Sequence, residues 1–225
     1  MRGLLAPLRE VFDRPLKRYR QLRREGIDVM TRAADGIPDD LLMAAAGDLR
    51  LLANDRRHLS ANGEEDVNFI LDRAIHDIAW PRARWIELLC DGEVGSFPAE
   101  DHAYLAAHRE PVFSLYEVLE TRGSARVRLR DLLRGGDLWL MDAGMNFSSR
   151  PGQLIAIRVI AREGMNFTSG VAIPLNPEQK KHLVDNFTWL YDQKKSKMTW
   201  DQMMRRYAPR FYLEYKGSGQ KIIFL

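Results

Sequence analysis

In VNFILDRAIHDIAW the apolar positions Val67, Ile70, Leu71, Ala74, Ile75 and Ile78 recur at helical spacing until Pro81 stops the run. One side of this segment is therefore predicted to face a core. A second helix is predicted in IPDDLLMAAAGDLRLLA, where Pro38 suits a first helical turn and Asp39 and Asp40 favour the positive end of the helix dipole. Weaker helical spacing runs through RPLKRYRQLRREG, ARWIELLC and PAEDHAYLAAHRE. The first half thus reads as helices.

From Pro111 the period changes. VFSLYEVLE, ARVRLRDLL, DLWLMD, QLIAIRVIA and FTSGVAIPL are short runs rich in β-branched and aromatic residues, each closed by Gly, Pro, Asn or Ser. Runs of that kind predict the strands of a small five-stranded antiparallel barrel. Alternation is clearest where Val127 and Leu129 point one way and Arg126, Arg128 and Arg130 the other. Asp131 is expected to close its strand by bonding amides of the turn DLLRGG.

A further change follows at NPEQ, with Asn176 as N-cap, Pro177 as first helical residue and Gln179 as the return partner of a capping box. Thr199 and Gln202 repeat the arrangement. FYLEYK and QKIIFL, separated by Gly217 to Gly219, read as a terminal hairpin. The predicted fold class is α+β, with a helical region at 1–110, the barrel at 111–175, and C-terminal helices plus a β-hairpin at 176–225.

GMNFSS at Gly144 to Ser149 returns as GMNFTS at Gly164 to Ser169. Consecutive antiparallel strands exit at opposite ends, so the two copies are expected to lie apart unless SSRPGQ carries the chain across the barrel. The expectation is two similar loops, Gly supplying positive φ and Asn tolerating it, rather than one composite site.

The chain has 225 residues, 45% hydrophobic and 29% charged, enough to bury a sizeable core. Its single cysteine, Cys90, permits neither an internal disulfide nor a cysteine-rich zinc site, which fits a reducing compartment, and the cytoplasm is expected. The start lacks the apolar core and cleavage site of a signal peptide, and no segment approaches the length of a membrane span. The net charge of +3 is uneven: nine basic against five acidic residues in 1–35, ten against five in 178–225, and an acidic excess between.

Catalytic motifs are not found. The five histidines make no i, i+4 pair, and GSG near the end lacks the strand-to-helix setting that phosphate binding requires. No catalytic or metal-ligating residue is nominated, and no cofactor is implied. The arrangement with a physical argument is basic. Arg126, Arg128 and Arg130 share one strand face, Arg158 and Arg162 share a face of another, and Trp139 stands on the outer side of a strand between. Arginine rows with an aromatic on a small barrel can hold a nucleic-acid backbone and stack a base. The opposing reading is that these guanidiniums pair with the acidic helices, where residues 36–110 carry fifteen acids against seven bases. A basic amphipathic first segment, Arg14, Lys17, Arg18, Arg20, Arg23 and Arg24 around Leu16, Tyr19 and Leu22, could lie on an anionic membrane or pack on its own domain.

SLYEVLETRGSARVRLRDLLRGG followed by RPGQLIAIRVI resembles the barrel region of a set of uncharacterised bacterial proteins, some of which carry a C-terminal SEC-C zinc motif. The likeness lies in Ser114, Glu117, Val118, Leu129, Asp131, Leu132, Leu133, Gly135, Gly152, Arg158 and Val159, and spans roughly 67–183. The cysteine-and-histidine tail of SEC-C is absent, so no zinc-dependent role carries over. What the resemblance implies is a shared fold in which Glu117 and Asp131 matter, read here as backbone hydrogen bonding. The expected function is a non-enzymatic binding module with nucleic acid as leading partner; a protein-interaction or scaffold role is the alternative, and oligomeric state is open.

Overall fold

A computed structural model describes residues 6–55 and 58–217, the first nine of these as backbone only. Five helices come first: α1 (Ala6–Asp35), α2 (Asp39–Asp48), α3 (Glu64–His76), α4 (Trp85–Cys90) and α5 (Ala99–Arg109). The strands β1 (Phe113–Arg122), β2 (Arg126–Asp131), β3 (Asp137–Met141), β4 (Leu154–Arg162) and β5 (Met165–Leu175) follow, with α6 (Ala143–Ser148) between β3 and β4. The described chain ends in α7 (Lys180–Lys194), α8 (Trp200–Tyr207) and α9 (Pro209–Gly217). Among the described residues no helix is long and apolar enough to cross a membrane.

All five expected strands form, and they close into a barrel in the order β1-β2-β3-β5-β4. The barrel is mixed rather than wholly antiparallel, because β3 runs parallel to β5, Leu140 opposite Asn166. The cause is the connection after β3. There α6 and the stretch 149–153 carry the chain across the barrel end, so β4 starts on the far side beside β1. The two GMNF copies therefore come to the same end of the barrel. They also differ in form: Gly144 to Phe147 is helical, whereas Gly164 is a turn residue with φ +72° and Met165 opens β5. Each asparagine supports the strands, Asn146 Nδ2 donating to the Arg126 carbonyl at 2.7 Å and Asn166 Nδ2 to the Trp139 carbonyl at 3.1 Å.

Alternation fills the barrel. Tyr116, Val118, Val127, Leu129, Leu140, Ile155 and Ile157 form its interior, with Met145 of α6 packed on the same cluster. The outward residues of β4 and β5 with the start of β1, among them Phe113, Leu115, Leu154, Ala156, Ile160, Phe167 and Ile173, join the helical core instead. Asp131 behaves as expected: its Oδ1 accepts from the amides of Leu133 and Arg134 at 2.9 Å each and from Ser114 Oγ at 2.8 Å. Glu117 does not bond backbone. It pairs with Lys180 Nζ at 2.8 Å.

Two expectations about helices change. On α3, Ile70, Ala74 and Ile75 are buried as foreseen, but Val67 is 42% exposed while Asp66, Asp72, Arg73 and His76 are buried. The helix has neighbours on more than one side, and its polar positions bond them. At the C-terminus FYLEYK is not a strand but part of α9, because Phe211, Tyr212 and Tyr215 fall on one helical face. Phe211 stacks on Phe187 with centroids 4.5 Å apart, and Tyr212 meets Phe69 at 4.8 Å. The second arm, QKIIFL, lies outside the described residues. The boxes at Asn176–Gln179 and Thr199–Gln202 are formed, Gln202 Oε1 accepting from the Thr199 amide at 2.9 Å.

The helical layer and the barrel are joined through Arg158 of β4, which is fully buried. Its Nη2 donates to Asp72 Oδ2 and to Asp77 Oδ2, each at 2.9 Å, and its Nη1 donates to the Pro111 carbonyl at 2.6 Å. Burial opposes the charge, but the two carboxylates outweigh it and hold the guanidinium protonated. Removing one partner from such a group leaves the others buried and uncompensated, at a cost of about 3–5 kcal/mol. Arg158→Met is thus expected to lower unfolding free energy in urea by about that amount; a loss within the roughly 0.5 kcal/mol of a neutral surface change would contradict the assignment.

Candidate nucleic-acid interface

The six residues singled out by sequence separate into two groups. Arg126, Arg128, Arg130 and Trp139 stay together on the outer face of β2 and β3, with Arg128 directly opposite Trp139 and Arg130 opposite Asp137. That face is turned away from the helical core. Trp139 keeps 37% of its surface exposed, and the Arg122 guanidinium lies 5.4 Å from its ring centroid. Arg122 was not among the six; it belongs because the β1–β2 register sets it opposite Arg126. Its sequence signal was the tight turn between them, which extends the outward arginine positions across the hairpin.

Arg158 and Arg162 sit elsewhere. Arg158 is the buried link to α3, so it offers nothing to a ligand on the surface. Arg162 is mostly covered, its Nη1 3.8 Å from Glu25 of α1 and its guanidinium 5.2 Å from the Tyr104 ring centroid. For Arg158 the opposing reading holds, since Asp72 and Asp77 lie within residues 36–110, whereas Arg162 meets its carboxylates outside that stretch, at Glu25 and Glu163. The signal was in the run LIAIRVIA, nearly continuous in apolar residues, which marks a strand covered on both faces.

The exposed arginines find their partners within the barrel itself. Arg130 Nε donates to Asp137 Oδ1 at 2.9 Å and Arg128 Nη2 to Asp137 Oδ2 at 2.9 Å, while Arg128 Nη1 lies 3.5 Å from Glu120. The Arg130 guanidinium, with that of Arg128, holds the Asp137 carboxyl below its ordinary range. For Arg126 no side-chain hydrogen bond or ion pair is found among the described residues. With Arg122 Nη2 4.0 Å from Glu120, three guanidiniums thus meet two carboxylates and Arg126 meets neither, and solvent-exposed ion pairs of this kind contribute only about 0–1 kcal/mol. A phosphate, taken in bidentate fashion by arginine, competes on favourable terms. Along β2 the three arginines step by about 7 Å over a row of about 14 Å.

The first helix packs on its own protein. Tyr19 and Leu22 are buried, Arg18 pairs with Glu163 at 2.5 Å, and Arg23 Nη1 donates to the Thr168 carbonyl at 3.1 Å.

A family model matches residues 13–224, nearly the whole chain, so helices and barrel alike fall within it. The chain belongs to DUF7986, a family of unknown function. The part matched to DUF7986 includes the β2–β3 face and the buried Arg158 network together, and membership brings no activity with it. No curated protein and no solved structure matches the chain.

A second cluster of titratable groups lies beneath the barrel and is structural in character. His76 Nδ1 is 2.9 Å from the Asp72 carbonyl, so it must carry the proton, and His76 Nε2 then accepts from His108 Nδ1 at 3.0 Å. Both rings are buried and neutral. Burial, with the nearby Arg158 charge, pushes His76 down to about 3, and burial, with His76, pushes His108 well below its ordinary value. Unfolded histidine titrates near 6.5, so below that pH the unfolded chain binds protons that the folded one refuses. Stability present above pH 6.5 is then lost as pH falls toward 3, by up to about 1.4 kcal/mol per unit for each ring. Urea midpoints are expected to fall between pH 6.5 and 5, before carboxylates titrate, and to fall less steeply in His108→Asn. A flat profile over that window would show that the pair accepts protons in the folded state.

Proposed function

We propose that this protein is a non-catalytic nucleic-acid-binding protein of the cytoplasm, and that it takes single strands on the β2–β3 face. The observation that carries the reading is the shared exposure of Arg122, Arg126, Arg128 and Arg130 around Trp139, four cations and one stacking surface on a single face.

The barrel's connectivity supports it. Five strands in the order β1-β2-β3-β5-β4, closed, with a helix after β3, follow the Greek-key arrangement of OB-type barrels. In those barrels the β2–β3 face and the β1–β2 and β4–β5 loops receive oligonucleotides or oligosaccharides. Likeness of architecture alone assigns no function; what matters is that the arginines and the indole occupy that very face. A convex strand surface with one exposed ring suits unpaired bases, which can leave their neighbours and stack, better than it suits a duplex groove. The charge favours a nucleic acid over a neutral sugar.

A protein-interaction role is the second reading, and two exposed aromatics favour it: Phe147 at 72% and Trp189 at 61%. The two readings differ in salt dependence. Three neutralised phosphates on a single strand give a slope of log K against log salt of about −2. Fluorescence anisotropy with labelled single-stranded and duplex DNA and RNA is expected to show saturable, salt-sensitive binding that prefers single strands. Changing Arg126, Arg128 and Arg130 together to Gln should flatten that slope, and Trp139→Ala should cost about 1–3 kcal/mol of affinity. Absence of binding at low salt by the folded protein would overturn the proposal.

A further inference from the structure

Away from the barrel face, a cleft of about 600 Å³ opens where the end of α3, the start of α4 and the start of α8 meet. Its size falls in the range of small-molecule sites. Arg73, Arg82, Arg84, Arg205 and Arg206 line it, together with five carboxylates, so the lining is neutral by count. The pairing is uneven. Asp48 and Asp77 are engaged by Arg73, at 2.7 and 3.4 Å, and Asp77 also by Arg158. Glu87 is held by Arg84 at 2.6 Å, and Asp201 lies 3.4 Å from Arg134, outside the cleft. Arg82 pairs with Glu93, outside the lining, and of the remaining Arg205 and Arg206 it is Arg205 that meets Glu110.

Glu110 bridges two guanidiniums loosely. Its Oε1 is 3.9 Å from Arg84 Nη2 and its Oε2 is 3.5 Å from Arg205 Nη2, and its side chain is 74% exposed. Neither contact is a hydrogen bond. The guanidiniums themselves are fixed: Arg84 Nη1 donates to the Arg109 carbonyl at 2.6 Å and Arg205 Nη2 to the Glu110 carbonyl at 2.7 Å, and both side chains are about nine-tenths buried. Two fixed guanidiniums thus stand beside each other, Arg84 also paired with Glu87, and the carboxylate they share loosely is the exposed one of Glu110. Burial and then the Arg84 charge work against protonation of Arg205, a repulsion that an added anion would relieve. Arg206, exposed at the cleft's edge, has only the Tyr207 ring as a side-chain contact among the described residues, at 5.7 Å.

We propose that this cleft binds a phosphoryl oxyanion, free or as the end group of a small phosphorylated molecule, which bridges Arg84 and Arg205 in place of the Glu110 carboxylate with Arg206 at its edge. Arginine's planar fork suits that recognition. The site rests on its own geometry and does not depend on the barrel face.

The test is calorimetric titration of the full chain with inorganic phosphate and, separately, glycerol 3-phosphate, ionic strength being matched with sodium chloride. Arg84 and Arg205 hold backbone carbonyls, so the exposed residues carry the test. Glu110→Gln is expected to tighten phosphate binding and Arg206→Gln to weaken it, each by about five-fold, the weight of one unit charge at about 4 Å in water. The Arg126, Arg128 and Arg130 triple Gln variant should bind phosphate as the wild type does. Tighter binding of the ester would assign the cleft to phosphorylated metabolites, and equal affinities to free phosphate; either sustains the site. No saturable binding at matched ionic strength, unchanged affinity in both single variants, or loss in the barrel triple variant would overturn it.

Discussion

The two layers of this fold are joined at one fully buried cation. Arg158 stands in the middle of an otherwise apolar strand, and the desolvation of its charge is tolerable only because Asp72 and Asp77 reach it from the end of α3. The same guanidinium holds the Pro111 carbonyl, where the chain passes from helices to barrel, and Arg84 and Arg205 hold the two carbonyls before it. Three arginines therefore fix the joint between layers. Asp72 extends the grip to β5 through Ser169 Oγ at 2.9 Å. With β4 and β5 committed to the helices, β2 and β3 are the strands whose outer face is left to solvent.

That division explains why identical side chains have opposite fates. Arg128 and Arg158 are both outward-pointing residues of strands in one barrel, yet one is exposed and the other fully buried. Alternation tells inside from outside; it does not tell which part of the outside a helix will cover. The run LIAIRVIA held a partial answer, since a strand apolar on both faces has a neighbour on each. Strand number and spacing, the helix at 70–75 and both capping boxes were legible because each is written in local periodicity or turn chemistry. The parallel β3–β5 pairing was not legible, since it depends on where α6 sends the chain. The α9 helix was missed for a related reason: Phe211, Tyr212 and Tyr215 favour strands by propensity, but packing on Phe69 and Phe187 decides their conformation.

The candidate interface on β2 and β3 follows from the same division. Exposed ion pairs such as Arg130 with Asp137 are weak enough to exchange for phosphate, whereas Arg158 with its carboxylates is not. Asn146 and Asn166, the common element of the repeated GMNF, bond the carbonyls of Arg126 and Trp139 themselves. Both copies thus support the same end of the barrel.

The most direct measurement is photo-crosslinking of a bromodeoxyuridine-substituted single strand to the full chain, followed by peptide mapping. Adducts at Trp139 and within the peptides spanning 120–141 are the predicted result. Adducts confined to α7, to α1 or to the helical cleft, with the β2–β3 peptides unmodified, would contradict the assignment of the barrel face.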